Sequence, residues 1–256
     1  MNISKIKKKV IEVENLSKSF NGNNILKEIN FDLCQGESIV IIGASGSGKS
    51  VLLKNIIGLL KPDKGSIKIN DTDTTSLSRS KRESLFLELG ITFQHGALFD
   101  SLKIWENVIF RIQRLKKLSQ KEGKELALDI IKKLGLGVEI LDLYPSEISG
   151  GMQKRIAIAR AICSKPKILL FDEPTSGLDP VTGSVIDDLI LNSVRSLGAS
   201  AITITHDMAS VSKIADKVIL IDHQKIAWSG RPNQMHKSKN LKIQQFIKAI
   251  NPNLFK

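Results

Sequence analysis

Short apolar runs of strand length are the strongest pattern along the chain. They are rich in β-branched residues, and each is followed by a glycine or a polar residue. Apolarity that continues through a strand indicates burial on both faces, as in a parallel sheet. The four runs that we predict to be buried strands are Ser38–Ile42, Ile168–Phe171, Ala201–Thr205 and Val218–Ile221.

Helical patterns separate these strands. One helix is predicted from Lys49 to Leu60, and it ends before Pro62 because the residue that precedes a proline avoids the α region. A second helical pattern, rich in Lys and Glu, covers Gln113–Leu134, and a third covers Gln153–Cys163. An earlier strand is expected near Ile11–Leu16. Strands that alternate with helices predict an α/β fold with a mostly parallel sheet.

The tail of the chain, residues 237–256, is predicted to form an amphipathic helix. Its apolar residues recur at i, i+3, i+4 and i+7 and so form one stripe. This stripe either closes the chain's own core or contacts a second copy or an accessory subunit. Lysines around it also leave contact with a membrane surface open. The stripe consists of Ile243, Phe246, Ile247 and Ile250.

The composition is that of an ordinary globular protein, with 256 residues, 41% of them hydrophobic and 25% charged. No apolar run approaches the eighteen residues of a membrane span, and no apolar segment follows the basic run Lys5–Lys9 as a secretory signal would require. The two cysteines, Cys34 and Cys163, are too few for a disulfide framework. We therefore expect a reduced, cytoplasmic protein.

The net charge is +12, from 38 basic and 26 acidic residues. This excess permits an anionic partner, whether nucleotide, nucleic acid or anionic membrane. The lysines are spread along the whole chain, however, and a solvated basic surface is the usual explanation of that distribution. Charge alone does not identify a partner.

A glycine-rich loop between the first buried strand and its helix is predicted to bind phosphate. It fits the pattern G-x-x-x-x-G-K-[ST]. Glycines let backbone N–H groups approach phosphate oxygens, and the helix directs its positive end at the same anion. Lys49 would contact the β- and γ-phosphates, and the Ser50 hydroxyl would ligate Mg²⁺. The loop consists of Gly43, Ala44, Ser45, Gly46, Ser47, Gly48, Lys49 and Ser50.

Polar residues at the ends of two other strands are candidates for the chemistry of hydrolysis. Asp172 ends an apolar run and would hold Mg²⁺, since ligand sites of open α/β sheets lie at the carboxyl ends of the strands. Glu173 is the candidate general base for an attacking water. His206 follows another strand and would contact the γ-phosphate. Lys49, Glu173 and His206 are therefore the predicted catalytic residues.

A second glycine-containing turn, preceded by Ile148, opens the third predicted helix. Its backbone donors form a second anion site by the same physics. One chain holds one triphosphate, so a second site about 100 residues further along is explained if two copies pair head to tail. Each ATP then lies between one copy's loop and the other's turn. The turn consists of Ser149, Gly150, Gly151, Met152 and Gln153.

Together these motifs resemble the ATP-binding cassette family across essentially the full chain. Gly43–Ser50 resemble the Walker A loop, Ile168–Glu173 the Walker B strand, and Ser149–Gln153 the signature, with Ile148 where the family usually has Leu. The resemblance implies a P-loop NTPase that hydrolyses ATP with Mg²⁺ and acts as a homodimer.

The same resemblance implies roles for further residues. Gln94 is similar to the Q-loop glutamine, which touches Mg²⁺ and senses the γ-phosphate, and Ser176–Asp179 resemble the D-loop that crosses the dimer interface. Phe20 lies where the family keeps an aromatic residue to stack on adenine, although Tyr is commoner there. The implied metal ligands are Ser50, Gln94 and Asp172.

The resemblance also implies the architecture. The NTPase core would comprise residues 37–95 and 164–230. A small antiparallel β subdomain would comprise 8–36 and 63–72, and an inserted helical subdomain about 96–163. These parts would form a single cassette over 1–236, followed by the helical tail.

A narrower resemblance concerns the segment after Gln94. Gly96–Phe99, followed by the helix start Asn107–Val108, look like the corresponding segment in the ATPases of Mla/Mce-type phospholipid transport systems, as do Gly151–Arg155 and Asp179–Thr182. That likeness implies a multispanning permease and an Mce-domain lipid-binding protein as partners. It also implies phospholipid transport between inner and outer membranes, with the ATPase peripheral at the cytoplasmic face of the inner membrane.

Aromatic residues in this segment have two interpretations. Phe99, Trp105 and Phe110 are anchors for the permease or core residues of the helical subdomain.

Two other functions remain open. One is a transport ATPase for another cargo, such as an amino acid, a metal or a lipoprotein. The other is a non-transport cassette that acts on nucleic acid or ribosomes. The single cassette and the short distance between loop and signature oppose this last class, so no nucleic-acid partner is expected.

Overall fold

The computed structural model describes residues 8–250 apart from 79–80, 82–84 and 86–87. Part of the basic run Lys5–Lys9 and the end of the predicted tail lie outside the described residues. The described residues fall into two compact units, one within Met1–Phe86 and Ser200–Lys256 and the other within Leu87–Ala199.

Strands and helices alternate along most of the described chain, as the hydrophobic pattern predicted. The strands are β1 (Lys9–Phe20), β2 (Asn23–Cys34), β3 (Ser38–Ile42), β4 (Lys64–Ile69), β5 (Thr72–Asp73), β6 (Leu89–Thr92), β7 (Ile168–Asp172), β8 (Ser200–Ile204), β9 (Lys217–Asp222) and β10 (Lys225–Gly230). The helices are α1 (Lys49–Ile56), α2 (Ile104–Leu115), α3 (Gln120–Lys133), α4 (Gly150–Ile162), α5 (Pro180–Leu197), α6 (Met208–Ile214), α7 (Pro232–Met235) and α8 (Leu241–Ile250).

The first unit contains the expected antiparallel β subdomain, with strand order β2-β1-β4-β5. Asn21 and Gly22 join β1 to β2, and both have positive φ, which is what a two-residue hairpin turn of type I′ requires. β1 is longer than the predicted Ile11–Leu16 because its polar end also pairs, for example Ser19 with Asn24.

The same unit contains the strand order β10-β9-β3-β8, in which β3 is parallel to both β8 and β9 and β10 is antiparallel to β9. Every residue of β3 is buried, as its continuous apolarity predicted. The predicted end of α1 at Leu60 was wrong. Gly58 adopts a left-handed φ of 73° and donates its N–H to the Asn55 carbonyl at 3.0 Å, which ends the helix at Ile56.

In the second unit β6 and β7 pair in parallel, with Thr92 opposite Phe171. The helical pattern predicted over Gln113–Leu134 is divided between two helices. α2 begins earlier, and α3 starts afresh where the Ser119 hydroxyl accepts the Glu122 N–H and the Glu122 carboxylate accepts the Ser119 N–H. This capping box restarts the helical hydrogen bonding.

The amphipathic tail packs within the first unit. Ile243 and Ile247 of α8 are buried, and the helix lies against β10. The Asn240 side chain donates to the Ala227 carbonyl at 2.9 Å, and Lys242 forms an ion pair with Asp222 at 3.1 Å. These contacts support the interpretation in which the stripe closes the chain's own core; the side chain of Ile250 lies outside the described ones. Within the described ranges, no helix combines the length and apolarity that a membrane span requires.

Candidate nucleotide site

The glycine-rich loop connects β3 to α1 in the first unit. The Lys49 ammonium folds back into the hollow of the loop, where it donates to the carbonyl oxygens of Gly43 at 2.9 Å and Ala44 at 3.0 Å. Lys49 is buried although charged. The loop therefore fixes one positive charge at the N-terminus of α1, where the helix dipole is also positive. This arrangement suits an anion with several oxygens.

Two glycines of the loop are required by close neighbours. A β-carbon on Gly43 would lie 2.4 Å from the Ile221 carbonyl oxygen, and one on Gly48 would lie 2.9 Å from the Ile25 carbonyl oxygen. Gly48 also has a left-handed φ of 99°. The backbone of the loop is thus in contact with β9 and β2 at positions where a larger residue has no room.

His206 is brought to the same sheet edge as the loop. Ile41 of β3 is in register with Ile204 of β8, so Gly43 and His206 each lie two residues beyond a register pair. His206 is exposed, and Asp207 after it caps α6 by accepting the Ala209 N–H at 2.9 Å. The parallel register therefore places His206 at the carboxyl end of its strand, on the same sheet edge as the loop, which is the position that the sequence analysis assumed for it.

Phe20 also belongs to the first unit and is the last residue of β1. Its side chain is 41% exposed, and the Lys18 ammonium lies 5.3 Å from the ring centroid. An exposed ring beside a cation is a suitable surface for stacking on a planar group, as predicted for adenine.

In the second unit Gln94 and Glu173 share a sheet edge for the same reason. They follow β6 and β7, each two residues beyond the register pair Thr92–Phe171. Asp172, the last residue of β7, is buried. Glu173 has a left-handed φ of 49°, which a residue with a side chain adopts at a cost and which is typical of functional sites.

Lys154 of α4 connects these two strand ends and was not among the predicted site residues. Its ammonium donates to the backbone carbonyl of Gln94 and lies 3.4 Å from that of Glu173. Burial lowers the pKa of Lys154 below its ordinary value, and the negative charges of Glu173 and Asp172 act in the opposite direction. The sequence prediction did not include this lysine, because its hydrogen-bond partner Gln94 lies 60 residues away along the chain.

Arg160 fastens the segment that follows Gln94. Its buried guanidinium donates to the Gly96 carbonyl at 2.6 Å and to the Ala97 carbonyl at 2.7 Å, and lies 5.7 Å from the centroid of the Phe99 ring. The rings of Phe99 and Phe110 stack with centroids 4.3 Å apart. Phe99 remains 41% exposed, so it combines a packing contact with an open face.

For Trp105 the contacts favour the interpretation as a core residue of the helical subdomain. A β-carbon on Gly123 of α3 would lie 3.0 Å from the Trp105 ring, so α2 and α3 pack closely through this pair. Trp105 is therefore a packing residue between two helices of the second unit.

The signature turn forms the start of α4. The helix begins at Gly150, three residues before the predicted start at Gln153, because the Ser149 hydroxyl caps it by accepting the Met152 N–H at 3.3 Å. Ser149 and Gly150 are exposed. The Gln153 side chain turns back and donates to the Pro145 carbonyl at 2.8 Å. The serine and the glycine thus face solvent, whereas the glutamine amide is held within the chain.

Asp179 caps α5. Its carboxylate accepts the N–H groups of Val181 and Thr182, each at 3.0 Å. Hydrogen bonds from the side chain and backbone of Thr182 lower the pKa of Asp179, so it is ionised at neutral pH. Asp179 therefore acts as a helix cap, in addition to its predicted role at a dimer interface.

The predicted site residues are thus distributed over both units. The first unit holds the loop, Phe20 and His206. The second holds Gln94, the turn Ser149–Gln153, Asp172, Glu173 and Asp179. Within each unit the strand register places residues from separate parts of the sequence at one edge.

Comparison with known proteins identifies the family. The sequence pattern of the family described as ABC transporter matches residues 26–176. The chloroplastic protein TRIGALACTOSYLDIACYLGLYCEROL 3 of Arabidopsis thaliana is 38% identical over 254 residues, which cover 93% of this chain and 73% of that protein. The arginine transport ATP-binding protein ArtM of Bacillus subtilis (strain 168) is 37% identical over 244 residues, 94% of this chain and all of that protein.

Solved structures show the same fold. The dimeric ATP-binding cassette MJ0796, in a post-hydrolysis state bound to ADP and Pi, has a TM-score of 0.81 and 29% identity over 87% of this chain and 98% of that chain. The cbiO1 protein of Clostridium perfringens, part of the ABC transporter complex cbiONQ, has a TM-score of 0.80 and 31% identity over 97% and 96%. The chain belongs to the ABC transporter family, and it is an ATP-hydrolysing cassette with a P-loop NTPase fold.

Proposed function

We propose that this chain is the ATPase subunit of a transporter that moves phospholipid between the inner and outer membranes through a separate permease. The observation that carries the proposal is the relative named for trigalactosyldiacylglycerol, a glycerolipid, which is 38% identical over 93% of this chain. The resemblance of Gly96–Phe99, followed by Asn107–Val108, to phospholipid-transport ATPases also supports it.

The active form is a head-to-tail homodimer. The exposed Ser149 and Gly150 at the start of α4 offer a hydroxyl and backbone N–H groups to an anion outside their own chain. A solved cassette with a TM-score of 0.81 to this chain is dimeric. In this arrangement one copy's glycine-rich loop and the partner copy's turn hold the same ATP.

Hydrolysis proceeds by attack of water on the γ-phosphate. The Glu173 carboxylate orients or deprotonates the water, and the ammonium of Lys49 and the loop N–H groups stabilise charge on the phosphates. His206 contacts the γ-phosphate, and Phe20 stacks on adenine. The site becomes complete when the dimer closes, so binding closes the dimer and hydrolysis reopens it.

The oxygen donors of the site suit Mg²⁺, which prefers hard oxygen ligands and keeps several waters. The Ser50 hydroxyl, the Gln94 side-chain carbonyl and the Asp172 carboxylate would hold it. When bound, the ion neutralises charge on the transferred phosphoryl group.

The partners follow from the same proposal. An integral membrane permease docks on the second unit near Gln94, and an Mce-domain protein carries the lipid. The cbiO1 relative is part of an ABC transporter complex, which supports a permease partner. The chain then lies peripherally at the cytoplasmic face of the inner membrane.

Copurification tests the proposal directly. The tagged full-length chain is purified from detergent-solubilised membranes, and the integral membrane proteins that accompany it are identified by mass spectrometry. A permease together with an Mce-domain protein is the expected result. The complex is then reconstituted with fluorescent phospholipid, with the Glu173→Gln variant as the control for ATP dependence. A permease with an amino-acid-binding protein instead would overturn the lipid assignment.

Amino-acid transport is the second candidate. ArtM, 37% identical over its whole length, and the glutamine transport ATP-binding protein GlnQ of Escherichia coli (strain K12), 36% identical over its whole length, favour it. ATP-dependent uptake of radiolabelled arginine or glutamine by the reconstituted complex, without lipid transfer, would establish this function in place of the first.

A further inference from the structure

A single ammonium group joins the ends of two strands in the second unit. β6 and β7 deliver the backbone of Gln94 and Glu173 to one sheet edge. The Lys154 side chain, from the second turn of α4, places its ammonium at both carbonyl oxygens. The three elements that carry the predicted sensor, base and signature are therefore connected through one residue.

The conformation of Glu173 needs such support. Its left-handed φ of 49° is strained for a residue with a side chain and persists only where neighbouring groups fix it. The Glu173 carbonyl oxygen accepts the Ser176 N–H at 3.2 Å and lies 3.4 Å from the Lys154 ammonium. Two donors from different elements thus hold this peptide group in place.

The other end of the connection is equally constrained. The Gln94 carbonyl accepts a hydrogen bond from Lys154. The carbonyls of Gly96 and Ala97 accept hydrogen bonds from Arg160, which also belongs to α4. The segment after β6 is therefore attached to α4 at two points. Ordering a long lysine side chain costs conformational entropy, so an ammonium held at two backbone carbonyls is a specific arrangement.

We propose that Lys154 is a positioning residue for ATP hydrolysis. By holding the backbones of Gln94 and Glu173 to the start of α4, it sets the direction of the Glu173 carboxylate. This inference rests on the role of Glu173 in the proposed function.

Lys154 lies in the same helix as the signature turn. Ser149 and Gly150, which we expect to meet the partner copy's nucleotide, lie one turn before Lys154 in the same helix. Through its contacts with the two carbonyls, Lys154 therefore links the start of α4 to the backbone of Gln94 and Glu173.

Substitution of Lys154 tests the proposal by separating turnover from binding. Lys154→Met removes the ammonium, Lys154→Gln keeps a neutral donor, and Lys154→Arg keeps a charged donor. We expect Lys154→Met to lower kcat at least tenfold, with the KM for ATP and the melting temperature nearly unchanged, and Lys154→Arg to restore much of the rate. Lys132→Met, on the exposed face of α3, is the control and should leave kcat unchanged. A raised KM with normal kcat, or normal kcat in Lys154→Met, would overturn the proposal.

A double mutant shows whether Lys154 acts through Glu173. Single-turnover rates are measured for Glu173→Gln with and without Lys154→Gln, which replaces the ammonium by a neutral hydrogen-bond donor. If the lysine acts through the carboxylate, the second substitution has little further effect, because residues that act as a unit are non-additive. Multiplicative losses would contradict the coupling. Normal turnover in Glu173→Gln alone would instead refute the role of Glu173 in the proposed function.

Discussion

The carbonyl oxygen of Ile221 occupies the place that a β-carbon on Gly43 would need, with a separation of 2.4 Å. The first residue of the phosphate loop is therefore packed against the backbone of β9. The conformation of the loop therefore depends on its contact with the end of β9, a buried strand of the core.

Gly43→Ala should consequently distort the loop. Overpacking of this kind typically costs about 1–3 kcal/mol, and we expect affinity for a fluorescent ATP analogue to fall more than tenfold. Gly198→Ala, at an open left-handed position after α5, is the control. It should cost about 1 kcal/mol and leave nucleotide affinity intact. Equal affinity in the two variants would show that the contact with Ile221 does not shape the loop.

Glu173→Gln should separate binding from hydrolysis. The amide cannot accept a proton from water, so kcat should fall by about 10²–10⁴-fold while ATP still binds and holds a stable dimer. Steady-state ATPase assays and size-exclusion chromatography with ATP measure the two effects. Glu125→Gln, on the exposed face of α3, should leave both unchanged. Full turnover in Glu173→Gln would exclude this residue as the base.

Ser149→Ala should abolish hydrolysis while one copy still binds ATP. Loss of the helix cap accounts for about 0.5–2 kcal/mol of stability, which does not by itself stop turnover. Ser119→Ala is a matched control, because Ser119 caps α3 in the same way and has no predicted role in the site. The Ser119 variant should lose similar stability and retain ATPase activity. Loss of ATP binding in isolated Ser149→Ala protomers would mean that the signature has been misplaced.

The tail helix should contribute to the stability of the first unit. Ile243 is fully buried and Leu241 is 70% exposed, although both lie at the start of α8. Ile243→Ala should lower the free energy of unfolding by about 2–5 kcal/mol, and Leu241→Ala by less than about 0.5 kcal/mol. Urea unfolding followed by circular dichroism measures both. Similar small effects would mean that α8 is detached in solution.

The Cys163 thiol should make stability depend on pH in the alkaline range. Burial raises its pKa from 9.0 to about 12, although the charge of Arg111 opposes this. Above pH 9.0 the unfolded chain loses this proton while the folded chain keeps it, so the free energy of unfolding falls as the pH rises towards 12 and is unaffected below 9.0.

Comparison with Cys163→Ala isolates this effect. The stability of the variant relative to the natural chain should increase by up to about 1.4 kcal/mol per pH unit in that range. Urea unfolding between pH 8 and pH 10 gives the difference in stability between the two proteins. If the difference in stability stays constant with pH, the pKa of the Cys163 thiol is not raised in the folded chain.

Much of the fold could be predicted because its signals are local. The continuous apolar run of β3 identified a buried strand, and the loop that follows it needs glycines for reasons that lie in the loop itself. The end of α1 was missed because Gly58 stops the helix before the more conspicuous Pro62 does. The break before α3 was missed because periodicity continues across Ser119, and the capping box restarts the helix without an apolar gap.

The site was harder to predict wherever it depends on contacts between distant segments. Lys154 is one of many lysines, and the carbonyls that it reaches belong to strand ends whose register the sequence does not specify. The internal hydrogen bond of Gln153 was likewise invisible, since it depends on the turn at Pro145. Residue type predicted the chemistry of the loop and the carboxylates, whereas backbone geometry determined which neighbours support them.

The hydrogen bond that caps α4 determines which hydrogen-bonding groups of Ser149 remain available to a ligand. A hydroxyl can receive one hydrogen bond and give another at the same time. Ser149 receives the Met152 N–H, which leaves its own hydrogen available to point away from the helix. In the proposed dimer, Ser149 could therefore donate to a phosphate of the partner copy's nucleotide while it still caps α4, and no helical hydrogen bond would have to break.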